Sequence, residues 1–380
     1  MKLPEYKAHE LFRQYGLPCS AGFVAGSVEE LESFDKPLDY PLVLKAQVQT
    51  GGRGKAGGVQ FASNRAELIS KGKQILGMKI KGLTVGKVFV TGKVEIKKEM
   101  YLSFTLDRKQ KKAVLIFCQE GGVDINEIAE KFPDKIIKLT LEPGPAIEDF
   151  LIEYVMDMSG LSTEYRDSFR NVVKRLYSVF VEMDCMLAEI NPLVINVSGT
   201  LVALDGKIDI DDNALFRHDD IRKFREETED TDLAGEARKF NFLYIPIKNA
   251  GNIGIISNGS GMIMSSMDLI AKRGMEVACA LDLGGGATAD RIKEALRIVA
   301  SNPLVDTIFI NIFGGITRCD EIAQGVENAI GNIGGARLVI RLEGTNKEKG
   351  LAILEGVKGN ISMATGLRDG VDILARGTKA

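Results

Sequence analysis

The chain has 380 residues, of which 45% are apolar and 27% charged, and carries a net charge of −3. That length is too great for one core and predicts two or three domains of about 100–200 residues each. Lysine and arginine are dispersed without a basic stripe, which argues against a nucleic-acid partner.

Five cysteines (Cys19, Cys118, Cys185, Cys279 and Cys319) stand singly, with no C-x-x-C pair, and predict reduced, buried thiols. Lys2, Glu5 and Lys7 leave the amino terminus without an apolar core of a signal peptide, and no apolar run approaches the roughly 18 residues of a membrane span. The expectation is a soluble cytoplasmic protein with no membrane partner, or an organelle-matrix protein from which a presequence has been removed.

Residues 4–15 read as a short amphipathic helix opened by Pro4 and stopped at Gly16-Leu17-Pro18, with His9 in a surface or packing role. Ser27-Val28-Glu29-Glu30 reads as a capping box opening a second helix. From Pro41 to Phe61 an apolar run, Leu42 to Leu44, leads through Lys45 into a glycine-rich stretch carrying Arg53 and Lys55. Glycines there let backbone N–H groups approach an anion, and the cations add attraction, so the stretch has the chemistry of a phosphate loop. Gly52, Gly54 and Gly57 satisfy G-x-G-x-x-G, but the alternating Gly58-Val59-Gln60-Phe61 that follows predicts strand, loop, strand, a flap over nucleotide phosphates. A Walker A loop fails, because Gln49 stands where its first glycine belongs and Ala56 follows Lys55.

Further on, 63–76 predicts a helix and 85–90 a strand ending at Thr91-Gly92. A hairpin is expected from 102–107 and 112–117, and a long core-facing helix from 164–183. Runs 193–197 and 200–204 flank Ser198-Gly199 as a second hairpin. With a three-residue loop and Gly199 left-handed, Asn191 faces Asp205, about 5 Å away. An amide oxygen and a carboxylate, completed by phosphate and water, suit Mg²⁺. Glu189 would share that face.

Residues 218–240 are dense in charge and read as a solvated helix and the domain connection. From Asn252 strands (253–257, 277–281, 307–312) alternate with helices (262–272, 290–300, 320–330), which predicts a parallel doubly wound sheet with ligands at the carboxyl ends of its strands. Gly259, Gly261, Gly314 and Gly315 mark two helix N-termini there that favour an anion.

The segments KAQVQTGGRGKAGG, QEGGVDI, AEINPLV, LDGK, DDNALFR, SNGSGMIMSSMD, DLGGGAT and NIFGGITRCD, in this order, resemble the succinyl-CoA synthetase β-subunit family. The resemblance implies an amino-terminal ATP-grasp domain of two α+β lobes (1–238), binding nucleotide and Mg²⁺, and a flavodoxin-like α/β domain (239–380) that touches the α subunit. It implies reversible formation of succinyl-CoA with ATP/ADP, or GTP/GDP, through a phosphohistidine on that α subunit, which also binds coenzyme A, in an αβ or α2β2 assembly. Position by position it implies nucleotide contacts at Lys45, Gly52, Arg53, Gly54, Thr91, Val94 and Glu99, and metal ligands at Asn191 and Asp205. Glu189 becomes the catalytic glutamate facing the phosphohistidine, and Asn258, Gly315, Ile316 and Thr317 become succinate-binding positions. Thr91 stands where the family usually has glutamate, and Thr317 where valine is common, leaving base and acid preference open. A malate- or citrate-CoA ligase β subunit, an ATP-grasp carboxylate–amine ligase and a nucleotide-sensing module are the rival readings. The two histidines, His9 and His218, both lie outside glycine-flanked loops, so a phosphohistidine would come from another chain.

Overall fold

In a computed structural model, residues 1–35, 39–48, 52–131, 133–228, 233–247 and 251–377 are described. They divide into two compact units, Met1–Asp219 and Asp220–Ala380. The division falls at the start of the charged stretch 218–240, because its helix Leu233–Arg238 joins the second unit: Ala237 enters that core and Arg297 binds Glu236 at 2.6 Å.

The first unit carries two main sheets and a two-stranded ribbon, Lys79–Ile80 paired with Leu83–Thr84. Strands β1 (Gly22–Ala25), β2 (Leu42–Ala46), β3 (Val59–Ala62) and β4 (Val88–Gly92) form an antiparallel sheet in the order β1-β4-β2-β3. Helices Val28–Ser33 and Arg65–Ile75 cover it through Leu31, Leu68 and Ile75, which pack on Leu42, Leu44 and Val90. Ser27 caps the first of these as its sequence predicts, accepting from the Glu30 N–H at 3.2 Å.

The second sheet contains β5 (Ile96–Asp107), β6 (Lys112–Cys118), β7 (Ile137–Leu141), β8 (Cys185–Asn196), β9 (Leu201–Ala203) and β10 (Gly206–Ile210). Its order is β9-β8-β5-β6-β7, with β10 continuing β9 along the same edge of β8. Helix Arg166–Glu182 lies across it, and Phe104 meets Tyr177 edge-on at 5.2 Å while Phe117 meets Phe169 at 4.8 Å. Each fully buried side chain of this size contributes about 1.5–3 kcal/mol.

In the second unit β11 (Leu243–Pro246), β12 (Ile253–Ser257), β13 (Val277–Asp282), β14 (Thr307–Gly314), β15 (Arg337–Gly344) and β16 (Ile361–Ala364) form one sheet, ordered β11-β13-β12-β14-β15-β16. All pairings are parallel except that of the edge strand β11. Both faces are covered, as alternation along β14 requires: Ile308, Ile310 and Ile312 pack on helices Ala289–Ala300 and Cys319–Ala329, and Phe309 on helices Ser260–Lys272 and Leu367–Gly377. β12 is the first parallel strand and is followed by neighbours on opposite sides, which places the switch point between β12 and β14. Among the described residues no helix is long and apolar enough to cross a membrane.

Candidate functional site

Antiparallel β2 and β3 enclose the glycine stretch, so strand, loop, strand is the observed arrangement; residues 49–51 lie outside the described residues. Within it Gly52 has φ +82°, and Gly58 N–H closes the turn on the Arg53 carbonyl at 2.9 Å. A Cβ on Gly52 would be strained, whereas one on Gly54 would meet nothing within 4 Å. The turn therefore leaves its backbone open at Gly54 and aims the Arg53 side chain back toward the sheet.

There it meets a carboxylate. Glu5, in the first turn of helix Glu5–Gln14, is buried to 3% of its side-chain surface. Its Oε1 accepts from Lys45 Nζ at 2.6 Å and its Oε2 from Arg53 Nη1 at 2.6 Å. Lys45 also donates to the Leu204 carbonyl at 2.7 Å, and Arg53 Nη2 to Asp205 Oδ2 at 2.8 Å. Burial alone would raise the Glu5 carboxyl, but Lys45 and Arg53 outweigh it and hold it down to about 2. Asp205 moves the other way: burial and the Glu5 charge push it upward against the pull of Lys45 and Arg53.

The second hairpin has the register expected of it. Gly199 has φ +81°, Leu193 faces Ala203 and Ile190 faces Gly206, so Asn191 stands across from Asp205, its N–H donating to the Asp205 carbonyl at 3.1 Å. On its other edge β8 slips by one residue against β5: Ile190 faces Leu102 but Leu193 faces Met100, so Asn191 and Pro192 together oppose Tyr101. Pro192 has no N–H to give the ladder, and a bulge at this point re-aims the neighbouring side chain. Asn191 reaches the 121–123 loop, its Oδ1 accepting from Gly122 N–H at 2.8 Å and its Nδ2 donating to the Val123 carbonyl at 2.9 Å.

That loop requires its two glycines. A Cβ on Gly121 would lie 2.4 Å from the Met100 carbonyl oxygen, and Gly122, at φ +75°, would push one to 2.2 Å from Glu99 Oε2. Glu99 and Asn191 are thereby brought to opposite sides of one glycine. Tyr101 donates to Glu189 Oε2 at 3.0 Å, and burial raises the Glu189 carboxyl above its ordinary range. Thr91 is buried at the end of β4, and Val94 lies in the three-residue link from β4 to β5. One carboxylate and one amide oxygen stand on neighbouring strands, the donor types a hard divalent cation takes, but Asp205 Oδ2 already accepts from Arg53 and Asn191 Oδ1 from Gly122 N–H, so a cation there would share those oxygens with them.

The second unit has its own site at the carboxyl edge of the parallel sheet. Asn258 joins the ends of β12 and β14, donating to the Phe313 carbonyl at 3.0 Å and accepting from its N–H at 3.1 Å. Gly315 and Ile316 form the turn into helix Cys319–Ala329, and Ile316 is 84% exposed. Thr317 is 1% exposed, its hydroxyl accepting from Gly286 N–H at 3.2 Å, so that side chain ties two glycine loops together rather than facing outward.

Comparison with known proteins agrees with both halves. The ATP-grasp domain model matches residues 2–195, and the CoA-ligase model matches 256–366. The β subunit of the ADP-forming succinate–CoA ligase of Desulforapulum autotrophicum is 42% identical over 99% of both chains, and that of Chloroflexus aurantiacus 43% identical over 93% of both. The chain belongs to the succinate–CoA ligase β-subunit family. An ATP citrate lyase from Methanothrix soehngenii, solved with citrate and coenzyme A, shares the fold with a TM-score of 0.77 over 99% of both chains at 18% identity.

Within this ligase family member the structure gathers Lys45, Arg53 and Asp205 at Glu5, gathers Asn191 and Glu99 at Gly122, and sets Asn258 beside the 313–317 turn. The sequence reading gave Glu5, Tyr101, Gly121 and Gly286 no individual role in the site, although Gly121 and Gly286 fall within its quoted motifs. For Glu5 the available signal was a carboxylate on the same helical face as Ala8, His9 and Phe12, all of them fully buried.

Proposed function

We propose that the chain is the β subunit of a succinate–CoA ligase, catalysing with an α subunit the reversible conversion of succinate, coenzyme A and nucleoside triphosphate to succinyl-CoA, nucleoside diphosphate and phosphate. The observation that carries this reading is the convergence of Lys45 and Arg53 on Glu5 beneath the glycine turn, with Asp205 bound to Arg53 and Asn191 across the ladder from it. The family names supply the substrate class.

In this reading the first unit binds ATP/ADP, with GTP/GDP as the competing pair. Lys45, Arg53 and the backbone at Gly52 and Gly54 take the phosphates, while Thr91, Val94 and Glu99 line the remainder of the nucleotide. Asn191 and Asp205 hold Mg²⁺, whose chemistry is neutralisation of phosphate charge. Phosphoryl transfer needs positioning and charge compensation more than covalent chemistry from the protein, and these side chains supply both. Glu189 faces the phosphohistidine of the α subunit. The second unit holds succinate at Asn258, Gly315, Ile316 and Thr317, where the N-terminus of helix Cys319–Ala329 favours a carboxylate or phosphate by about 0.3–1 kcal/mol. Exposure of Phe313, Ile316 and Met264 around that edge supports a macromolecular partner there, the α subunit, in an αβ or α2β2 assembly. The proposed compartment is the cytoplasm.

The test is phosphate transfer from γ-labelled ATP and GTP with Mg²⁺, by this chain alone and with a co-expressed α subunit, followed by a chase with succinate, malate or citrate and coenzyme A. Label on the α-subunit histidine alone, discharged by succinate and coenzyme A, is the expected outcome. Labelling of the isolated chain, or product from it unaided, refutes the reading and favours a carboxylate–amine ligase.

A further inference from the structure

We infer that Glu5 is a positioning residue for nucleotide binding, the buried anchor that holds Lys45 and Arg53 in place beneath the glycine turn. The inference rests on the nucleotide reading of that turn and extends it to a residue one helix away.

With 3% of its side chain exposed, Glu5 cannot itself meet a ligand; it acts through what it holds. Each of its oxygens takes a different cation, and those cations come from different places in the chain, Lys45 from β2 and Arg53 from the turn eight residues on. One carboxylate therefore fixes the spacing of the two groups. A mere helix-end acidic residue gains a modest dipole interaction at the surface and needs no burial. A buried one forfeits its hydration, and two close cations are what offset that loss.

The donor count shows what the anchor leaves for a ligand. Lys45 has three N–H donors; one goes to Glu5 and one to the Leu204 carbonyl. Arg53 has five; Nη1 gives its pair to Glu5 and the Ala46 carbonyl, at 2.6 and 3.2 Å, and Nη2 gives one to Asp205. Among the described residues one ammonium donor and two guanidinium donors remain, on side chains whose rotamers Glu5 has already fixed. Ordering a long cationic side chain otherwise costs rotamer entropy at the moment of binding, and preorganisation removes that cost.

The experiment is MgADP binding by calorimetry to the full chain co-expressed with its α subunit, in wild type, Glu5→Gln, Lys45→Met/Arg53→Met and the triple variant. Expected are at least a tenfold loss of MgADP affinity in Glu5→Gln, a rise in nucleotide KM with the KM values for succinate and coenzyme A unchanged, and less than a twofold further effect of Glu5→Gln in the Lys45→Met/Arg53→Met background. Wild-type binding with no loss in Glu5→Gln, or the same loss with and without the two cations, overturns the positioning role while leaving the nucleotide reading intact. No MgADP binding by wild type overturns the nucleotide reading and this inference with it. Should Glu5→Gln not fold, Glu5→Asp, shorter by one methylene, is read against the same outcomes.

Discussion

Replacing His9 by leucine should remove a defined part of the acid sensitivity of the first unit. His9 lies one helical turn from Glu5, is fully buried, and stands edge-on to Phe89 at 5.1 Å and tilted to Phe12 at 6.1 Å. Among the described residues neither ring nitrogen has a hydrogen-bond partner of good geometry, the Leu204 backbone adding only a small upward pull on its pKa. Burial, with smaller contributions from Lys45 and Arg13 and against the pull of Glu5, lowers its pKa from 6.5 to about 4. A depressed folded-state pKa means that the unfolded chain binds the proton first, so stability is fully present above 6.5 and is lost as pH falls toward 4. Evaluated with those two values, the loss between pH 7.5 and pH 5 is about 2 kcal/mol, and the full span is worth about 3 kcal/mol. Urea unfolding of wild type and His9→Leu at both pH values isolates this contribution, since every other titrating group is common to the two proteins. His9→Leu should lose about 2 kcal/mol less than wild type on acidification. At pH 7.5 it should be at least as stable, because a buried polar ring without partners gives way to an apolar side chain of similar size. Equal losses in the two proteins refute the argument that His9 is held neutral.

Gly121→Ala places a methyl group 2.4 Å from the Met100 carbonyl and should cost about 1–3 kcal/mol by thermal unfolding while weakening Mg²⁺ affinity, because the same loop holds the Asn191 amide; an unchanged midpoint contradicts the close approach. Asp205→Ala should abolish metal-dependent phosphorylation of the α subunit, measured as label on its histidine, and normal transfer removes Asp205 from the metal site. Thr317→Val keeps the shape but removes the acceptor for Gly286 N–H, and should lower stability by about 1 kcal/mol in urea unfolding; no change argues that the hydroxyl does not tie the two loops.

What the sequence made legible was what depends on neighbours in the chain. The succession of short apolar runs (253–257, 277–281, 307–312) alternating with helical stretches was enough to identify a parallel sheet and its carboxyl edge, because run length and turn chemistry are local. The Asn191–Asp205 pairing was equally local, since one loop length fixes a hairpin register. Glu5 was illegible for the opposite reason: its partners lie 40 and 48 residues away, and in its own helix it looks like an ordinary first-turn acid. Gly121 was visible as part of a glycine pair, but nothing nearby announces that Met100 passes 2.4 Å from it. The edge strand Leu243–Pro246 was missed because a four-residue run with proline at its end carries too little alternation to separate it from a loop.

The placement of the two histidines bears directly on where the covalent chemistry resides. A histidine that accepts and passes on a phosphoryl group needs a nitrogen reachable by the γ-phosphate and room to move afterwards. His9 has neither, being fully buried and enclosed by Phe12, Phe89 and the Glu5 cluster. His218 directs Nε2 at Asp184 Oδ2 at 2.8 Å, with 11% of its side chain exposed, and Arg217 donates to both oxygens of the same carboxylate. Both rings serve the packing of the first unit. In the proposed reading Lys45 and Arg53 of the same unit take the phosphates and Asn191 and Asp205 the Mg²⁺, an arrangement that would hold a triphosphate rather than attack it. A site that can hold and polarise a phosphoryl group but offers no histidine to receive it is half of a relay, and this asymmetry supports assignment of the phosphohistidine to the α subunit.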